Sequence, residues 1–226
     1  MSVAAVVFDL FGTLLDIMSL GAIAAPIVGG DRAPALVARW REKQLAYAFT
    51  STLADRYVDF DALTEHALDY ALATLGVTLE SAARARLVAS WLELKAYPDS
   101  ILALEALRSR GVRTAVLTNG TLSTAKRVLA NSGADAYLDD MWSVEEVRRY
   151  KPSPEVYAIA TRHLRAEPAR IVFISSNGWD ATGAAAFGFS VIWCNRSGLP
   201  NETFGPAPRY VVSTLADVPA LLTTSP

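Results

Sequence analysis

Four groups of polar residues in this chain have the types and positions that an active site requires. Asp9 directly follows the apolar run Val3–Phe8, and Thr13 comes four residues later, after a glycine. The other three groups are Thr118-Asn119-Gly120, Lys151, and the run Ser175-Ser176-Asn177-Gly178-Trp179-Asp180. A buried strand that ends in a carboxylate and then breaks at a glycine is an active-site layout, because ligands of open parallel α/β sheets bind just beyond the carboxyl ends of the strands.

The elements around these groups alternate between strands and helices. Short apolar runs separated by amphipathic helical stretches are typical of βαβ units and a parallel sheet. The predicted strands are Val3–Phe8, Val112–Leu117, Ile171–Ser175, Ser190–Trp193 and, at the edge, Tyr210–Val212. A helix is predicted over Ile101–Arg110 and ends at Gly111. The four polar groups should therefore meet at one edge of the sheet, where Lys151-Pro152-Ser153-Pro154 leads into a helix.

A helical region separates the first strand from the rest of this pattern. Residues 33–76 are predicted to be helical throughout, and residues 21–34 ahead of them a loop rich in Gly, Ala and Pro. The helical pattern continues over residues 80–95, and Pro98 marks the return to strands and helices. We therefore predict an α/β fold with a Rossmann-like parallel-sheet core, residues 1–15 and 98–226, and an inserted helical cap subdomain, residues 16–97.

Composition narrows the classes of function. The 226 residues carry a net charge of −2 and are 19% charged and 52% hydrophobic, which indicates a globular chain and disfavours a nucleic-acid partner. No apolar run approaches the roughly 18 residues that span a membrane, and Val3–Phe8 lacks the features of a signal peptide. The lone Cys194 excludes a disulfide framework and should be a buried core residue, so the cytoplasm is the expected location. His66 and His163 have no partners at metal-ligand spacing, and no transition-metal site is predicted.

The four groups, in this order and spacing, resemble the haloacid dehalogenase superfamily over nearly the whole chain. That superfamily has a nucleophilic aspartate, a Ser or Thr after the second strand, a lysine, and an acidic loop. Most of its members are phosphatases, which use Mg²⁺ to screen the repulsion between carboxylate and phosphate. They also place a general acid two residues after the nucleophile. Here that position holds Phe11, and Ser175-Ser176 stands where a phosphatase has Gly-Asp.

A halide leaves carbon without a proton and without a metal, so these two departures favour displacement at carbon over phosphoryl transfer. Within the superfamily the chain is similar to the L-2-haloacid dehalogenases. The similarity rests on the runs at residues 175–183, 40–47 and 56–60, and on Tyr150-Lys151-Pro152 followed by Tyr157. The chain departs from many members at Glu42, where Gln is common, at Phe11, where Tyr is common, and at Thr118, where Ser is common. Glu42 is expected to offset part of the charge of Arg41.

The resemblance implies a two-step reaction of (S)-2-haloacids. Asp9 would attack C2 with inversion, giving an ester and free halide. Water activated by Asp180 would then hydrolyse the ester to an (R)-2-hydroxyacid. Arg41 and Asn119 would stabilise the halide, whereas Thr118, Lys151 and the backbone N–H groups of Leu10 and Phe11 would hold the substrate carboxylate.

The remaining roles implied by the resemblance are structural or apolar. Thr13, Ser175 and Asn177 would orient the two aspartates, and Tyr157 would support Lys151 or the substrate carboxylate. Phe11, Leu45, Phe60 and Trp179 would line the apolar part of the pocket. No cofactor and no metal are expected. The partners would be a small haloacid and the halide product, with a homodimer as a further expectation and no nucleic acid or membrane.

Two alternatives stay open at this point. One is a Mg²⁺-dependent small-molecule phosphatase of the same superfamily, which Phe11 and Ser176 disfavour. The other is a catalytically silent scaffold that binds small carboxylates. The preferred halogen, fluoride included, and the chain length of the substrate are also open.

Overall fold

A computed structural model describes residues 3–222, and a parallel sheet forms the centre of this part of the chain. The strands are β1 (Ala5–Phe8), β2 (Leu15–Asp16), β3 (Lys95–Ala96), β4 (Thr114–Thr118), β5 (Asp140–Ser143), β6 (Ile171–Ser175), β7 (Ser190–Cys194) and β8 (Tyr210–Val212). Six of them form the parallel sheet in the order β5-β4-β1-β6-β7-β8, and β2 pairs with β3 in antiparallel fashion. All four residues of β1 are buried, as expected for a central strand of a parallel sheet.

The predicted strands are confirmed, with small shifts at their ends. The first strand begins at Ala5, two residues later than predicted. The strand predicted over Val112–Leu117 covers Thr114–Thr118, so it begins two residues later and ends one residue later. Strand β5 was not predicted from the sequence. Its residues Asp140–Ser143 form an edge strand beside β4 in which two of the four residues are only partly buried, so they carry no continuous apolar run.

Nine helices accompany the strands within residues 3–222. They are α1 (Leu20–Val28), α2 (Ala33–Leu53), α3 (Phe60–Thr74), α4 (Ser81–Ala89), α5 (Pro98–Ser109), α6 (Leu122–Ser132), α7 (Pro154–Leu164), α8 (Gly178–Phe187) and α9 (Val218–Leu221). Helices α1 to α4, here called the cap segment, lie between β2 and β3. Because β2 and β3 pair with each other, the chain leaves and re-enters the sheet region at neighbouring points.

Two predictions about the cap segment are wrong. The predicted loop at residues 21–34 contains α1, whose residues Leu20, Ala24 and Val28 are four positions apart and buried on one face. This packing outweighs the weak helix propensity of Gly and Pro in that stretch. The predicted continuous helix over residues 33–76 is broken at residues 54–59, where Asp55 has a φ of 53° and Asp59 caps the start of α3.

Other local predictions hold. Gly111 follows the end of α5 with a φ of 67°, a conformation that favours glycine. Pro154 begins α7 directly after the Lys151 loop. Cys194 is fully buried. Among the described helices, none combines the length and the apolar character needed to cross a membrane.

Candidate active site

Asp9 lies at the carboxyl end of β1 and is almost fully buried. Its Oδ1 accepts a hydrogen bond from Lys151 Nζ at 2.9 Å. Its Oδ2 accepts two more, from Thr13 Oγ1 at 2.9 Å and from Asn177 Nδ2 at 2.8 Å. Three donors on one carboxylate fix its orientation, and two of the three residues predicted to orient the aspartates, Thr13 and Asn177, contact Asp9.

Lys151 joins the two aspartates. Its side chain is fully buried, and Nζ lies 2.9 Å from Asp9 Oδ1 and 3.2 Å from Asp180 Oδ2. The ammonium group also lies 5.0 Å from the centre of the Phe173 ring. Its backbone N–H donates to Asn119 Oδ1 at 3.0 Å. One buried cation is therefore paired with two buried carboxylates, and the loop before α7 is held against the end of β4.

Asp180 lies in the first turn of α8 and is fully buried. Tyr157 Oη donates to its Oδ1 at 2.8 Å. Burial, reinforced by the charge of Asp9, raises the pKa of Asp180 to about 6, while Lys151 and hydrogen bonds from Tyr157 and Ser175 act in the opposite direction. A carboxylate with this pKa is suited to accept a proton near neutral pH.

Tyr157 contacts Asp180 and not Lys151 among the hydrogen bonds of the described residues. Burial and the neighbouring Asp180 charge raise its pKa well above the ordinary value for a tyrosine. The phenol is therefore a permanent donor to Asp180. The sequence left two roles open for Tyr157, support of Lys151 or support of the substrate carboxylate. The geometry does not provide support of Lys151.

The loop after β6 connects the two carboxylates. Asn177 N donates to Ser175 Oγ at 3.1 Å, and Ser175 also hydrogen-bonds Asp180. Ser176 N donates to Thr13 Oγ1 at 2.9 Å, the same hydroxyl that donates to Asp9. Thr13 thus couples the position of Asp9 to this loop.

Arg41 reaches the site from α2. Its Nη1 donates to Gln44 Oε1 at 2.7 Å, and its Nη2 lies 3.3 Å from the backbone oxygen of Phe11. Burial lowers the pKa of Arg41 to about 10, against the opposing effect of the Asp9 and Asp180 charges. A cation held by neutral acceptors above the nucleophile is suited to bind an anion.

Glu42 does not have the effect expected from its position in the sequence. Its side chain is 68% exposed and forms an ion pair with Arg39 at 2.9 Å. It therefore points its charge at another arginine and makes no ion pair with Arg41.

Gln44, within the run at residues 40–47, was assigned no role from the sequence, and it contacts Arg41. It is fully buried, and its Nε2 donates to Thr64 Oγ1 at 2.5 Å, which in turn donates to the backbone oxygen of Phe60. This chain of hydrogen bonds fixes the acceptor of Arg41. Gln44 lies four residues after the buried Trp40 and four before the buried Ala48, and that spacing could have identified it as a buried amide in need of partners.

Thr118 is the last residue of β4 and Asn119 follows it, at the carboxyl end of the strand beside β1. Thr118 Oγ1 accepts from Gly120 N at 3.0 Å, and Asn119 Oδ1 accepts from Lys151 N. Both residues are buried. Since the acceptor atoms are engaged, the hydroxyl hydrogen of Thr118 and the amide hydrogens of Asn119 are the groups that could meet a substrate.

The backbone after Asp9 offers two more donors. Within residues 3–222, the N–H groups of Leu10 and Phe11 donate to no carbonyl or side-chain acceptor, although both residues are buried. Buried N–H groups normally have partners. The expected anion-binding role of these two N–H groups is consistent with this geometry.

The predicted apolar residues do not all come together. The Phe11 ring lies 6.0 Å from that of Phe60 and 5.5 Å from that of Trp91, an aromatic residue that the sequence analysis missed. These three rings line a cavity of about 150 Å³. Leu45 is half-buried. Trp179 is also half-buried, packs edge-on against Phe49 at 5.2 Å, and lines a different cavity.

The donor set does not suit a divalent cation. The Lys151 ammonium stands between Asp9 and Asp180, where Mg²⁺ would have to bind both carboxylates. All four carboxylate oxygens already accept a hydrogen bond, the fourth from Tyr157. Across residues 3–222 there is no cluster of three or more His, Cys, Asp or Glu side chains that could hold a metal ion.

Comparison with known proteins identifies the family. Residues 3–188 match the model of the haloacid dehalogenase-like hydrolases. The chain is 41% identical to (S)-2-haloacid dehalogenase 1 of Pseudomonas sp. (strain CBS-3), over 97% of this chain and 96% of that one. It is 40% identical to (S)-2-haloacid dehalogenase 4A of Burkholderia cepacia, over 98% and 95%. The solved L-2-haloacid dehalogenase from Xanthobacter autotrophicus with covalently bound chloropropionic acid superposes with a TM-score of 0.92 at 34% identity, over 99% of this chain and 100% of that one. The chain belongs to the haloacid dehalogenase-like hydrolase family.

Proposed function

We propose that this protein hydrolyses short (S)-2-haloacids to (R)-2-hydroxyacids through an ester on Asp9. The observation that carries this proposal is the pair of hydrogen bonds from Lys151 Nζ to Asp9 and Asp180, which gives one oriented carboxylate and one basic carboxylate around a single cation. Relatives of this chain include (S)-2-haloacid dehalogenases, and a structurally similar L-2-haloacid dehalogenase was solved with chloropropionic acid covalently bound.

In the first step, a carboxylate oxygen of Asp9 attacks C2 of the substrate from the side opposite the halogen. The new carbon–oxygen bond forms as the carbon–halogen bond breaks, and the halide leaves with the bonding electron pair. Thr13, Asn177 and Lys151 hold the attacking carboxylate in one orientation. Orientation of this kind lowers the barrier to displacement because the reacting atoms need no further alignment.

The leaving halide develops negative charge and needs a cation, not a proton. Arg41 supplies the cation from α2, and the amide hydrogens of Asn119 are a second donor. Because Arg41 is partly buried, its attraction to the developing anion is stronger than in solution.

The substrate carboxylate binds at the other side of Asp9. Its donors are the N–H groups of Leu10 and Phe11, which are free of protein acceptors within the described residues, and the hydroxyl of Thr118. Lys151 adds positive charge. Phe11 and Phe60 cover the apolar part.

In the second step, water attacks the carbonyl carbon of the Asp9 ester while Asp180 accepts its proton. The tetrahedral intermediate then breaks its bond to the product oxygen, which takes up a proton and leaves as the hydroxyacid. Asp9 is regenerated as a carboxylate that contains one oxygen from water. A pKa of about 6 keeps Asp180 deprotonated at neutral pH and basic enough for this role.

The test is release of halide and product from each enantiomer of 2-chloropropionate in the presence of EDTA. We expect chloride and (R)-lactate from the (S) enantiomer only, and none from an Asp9→Asn variant. Phosphate release from phosphate esters that requires Mg²⁺, with no halide release from any haloacid, would contradict the proposal in favour of a phosphatase. Binding of haloacids without turnover would indicate the silent scaffold.

Three further expectations complete the proposal. The division into a core and a cap at residues 16–97 is inferred from the insertion of α1 to α4 between β2 and β3. A homodimer is inferred from apolar side chains that the cap segment leaves exposed, among them Leu53 at 88%. The cytoplasm is inferred from the single, buried, unpaired cysteine. Limited proteolysis, light scattering and cell fractionation test them in that order.

A further inference from the structure

Tyr150 immediately precedes Lys151, is 1% exposed, and takes no part in the reaction described above. Its backbone N–H donates to Thr52 Oγ1 at 2.8 Å. Its hydroxyl donates to the backbone oxygen of Val58 at 2.6 Å. Both acceptors belong to the cap segment, one near the end of α2 and the other in the turn that follows it. Tyr150 is therefore tied to the cap at its backbone and at the far end of its side chain.

The ring of Tyr150 packs against the same part of the cap. It stacks on the Tyr57 ring with centroids 5.5 Å apart and lies 5.8 Å from the Phe60 ring. Phe60 in turn stacks on Phe11, two residues after the nucleophile. The neighbouring Arg149 adds an exposed ion pair to Asp55.

The position of Lys151 depends on the backbone that Tyr150 anchors. A lysine side chain is flexible, so its backbone must be held firmly if Nζ is to stay between two carboxylates. On one side, that backbone is held by the bond from Lys151 N to Asn119 Oδ1 in the core. On the other side, it is held by a bond within the loop, from Ser153 N to Tyr150 O at 3.0 Å, and by the two bonds from Tyr150 to the cap.

We propose that Tyr150 is a positioning residue that makes the seating of Lys151 between Asp9 and Asp180 depend on contact between cap and core. The inference deepens the proposed function and rests on it for its consequence in catalysis. The distance between Lys151 and the two carboxylates can be tested without turnover.

The test is a carbon-13 NMR titration of the Asp180 carboxyl, assigned by its loss in an Asp180→Asn variant. The charged and titratable groups that interact with Asp180 are Lys151, Asp9 and Tyr157 from the core and Arg41 from the cap. Lys151 lowers the pKa of Asp180. If Lys151 Nζ lies farther from Asp180, the titration midpoint of Asp180 should therefore rise above that of the parent protein.

Two variants loosen Tyr150 independently. Tyr150→Phe removes only the hydroxyl, and Thr52→Val removes only the acceptor of the Tyr150 N–H. Each should raise the Asp180 midpoint by about half a pH unit and, where the parent enzyme turns over haloacids, lower kcat about 3- to 10-fold with a smaller change in KM. If one variant does not fold, the other still tests the inference.

Two control variants separate this effect from simpler ones. Thr114→Val removes a buried hydroxyl that donates to the backbone oxygen of Tyr137 at 2.7 Å, at the opposite end of β4. Thr114→Val should lower the Tm about as much as Tyr150→Phe and Thr52→Val do. It should leave the titration midpoint of Asp180 unchanged. Thr64→Val loosens Gln44, and with it Arg41, without touching Tyr150.

The outcomes are distinct. A raised midpoint in Tyr150→Phe and Thr52→Val, and not in Thr114→Val, supports the inference. An unchanged midpoint in the folded Tyr150 and Thr52 variants overturns it. An equally large shift in Thr64→Val also overturns it, because the effect would then come from Arg41. Failure of the parent protein to release halide would count against the proposed function and leave the titration result in force.

Discussion

Lys151 and Arg41 are the two cations that act on Asp9, and the protein pairs them in opposite ways. Lys151 is fully buried in the core and bonded to two carboxylates. Arg41 comes from the cap and has neutral partners, the side-chain oxygen of Gln44 and the backbone oxygen of Phe11. The charge of Lys151 is therefore compensated inside the protein. The charge of Arg41 stays available to an anion.

This difference assigns the two cations to different steps. In the proposed reaction, Lys151 would orient Asp9 for displacement and influence Asp180 for hydrolysis, so it would matter in both steps. Arg41 would have an anion to bind only while the halide leaves. The lowered pKa of Arg41, a consequence of burial, reflects the cost of a cation without a carboxylate partner. A site that binds an anionic leaving group needs a cation of this kind.

Lys151→Met should produce the largest loss. It removes the positive charge that is bonded to both buried carboxylates, whose repulsion should then raise the pKa of Asp180 further. We expect kcat for halide release to fall about 10³-fold or more, with both chemical steps impaired in rapid-quench experiments. Impairment of only one step would contradict the shared role of Lys151.

Arg41→Ala should slow one step only. The rate of displacement should fall about 10²- to 10³-fold, in the range seen when one donor to a developing anion is removed. Hydrolysis of the Asp9 ester should be unchanged, since no halide is then forming. Single-turnover kinetics separate the two rates. Arg39→Ala is the matched control, because Arg39 lies on the same helix and is paired with Glu42 in solvent. Equal loss in both steps would remove Arg41 from its assigned role.

The rates of displacement and of ester hydrolysis should depend on pH in different ways. As the pH falls below about 6, Asp180 becomes protonated and cannot accept a proton, so ester hydrolysis should slow about tenfold per pH unit. Displacement should not slow over the same range, because it does not use Asp180 as a base and Arg41 stays charged. Measuring the two single-turnover rates from pH 5 to 8 checks this contrast. Hydrolysis that is independent of pH on the acid side would exclude Asp180 as the base.

The smallest effects come from two neighbours of Arg41. Gln44→Leu removes its acceptor and should slow displacement about tenfold through misplacement of the guanidinium. Glu42→Gln should change the rate by less than about twofold, because Glu42 is exposed and its charge is paired with Arg39. Halide release rates of the two variants under identical conditions check the contrast. A larger effect at Glu42 than at Gln44 would contradict the assignment of Gln44.

The positions of Asp9, Ser175 and Lys151 were predictable because they depend on where strands of the parallel sheet end. Asp9 and Ser175 end strands of a parallel sheet, and Lys151 lies in a loop whose prolines stop any regular structure before α7. Topology alone then brings these residues to one edge. The strands themselves were predictable for the same reason, since buried parallel strands are continuous apolar runs.

The cap was less predictable because its structure depends on tertiary packing. Helix α1 contains Gly21 and Pro26, and only the burial of its apolar face explains why it is helical. The roles of Gln44 and Trp91 depend on which residues of other helices face them, which a linear pattern does not reveal. Glu42 is the clearest case, since its neighbour in sequence, Arg41, is not its partner in space.

The measurement that tests the central claim most directly is a single turnover in H₂¹⁸O with enzyme in excess over (S)-2-chloropropionate. We expect the hydroxyacid from this first turnover to contain no ¹⁸O. The peptide that contains Asp9 should instead gain one ¹⁸O atom, detected by mass spectrometry, because water attacks the ester carbonyl carbon. Label in the product and none in Asp9 would show that water attacks C2 directly, and would contradict an ester on Asp9.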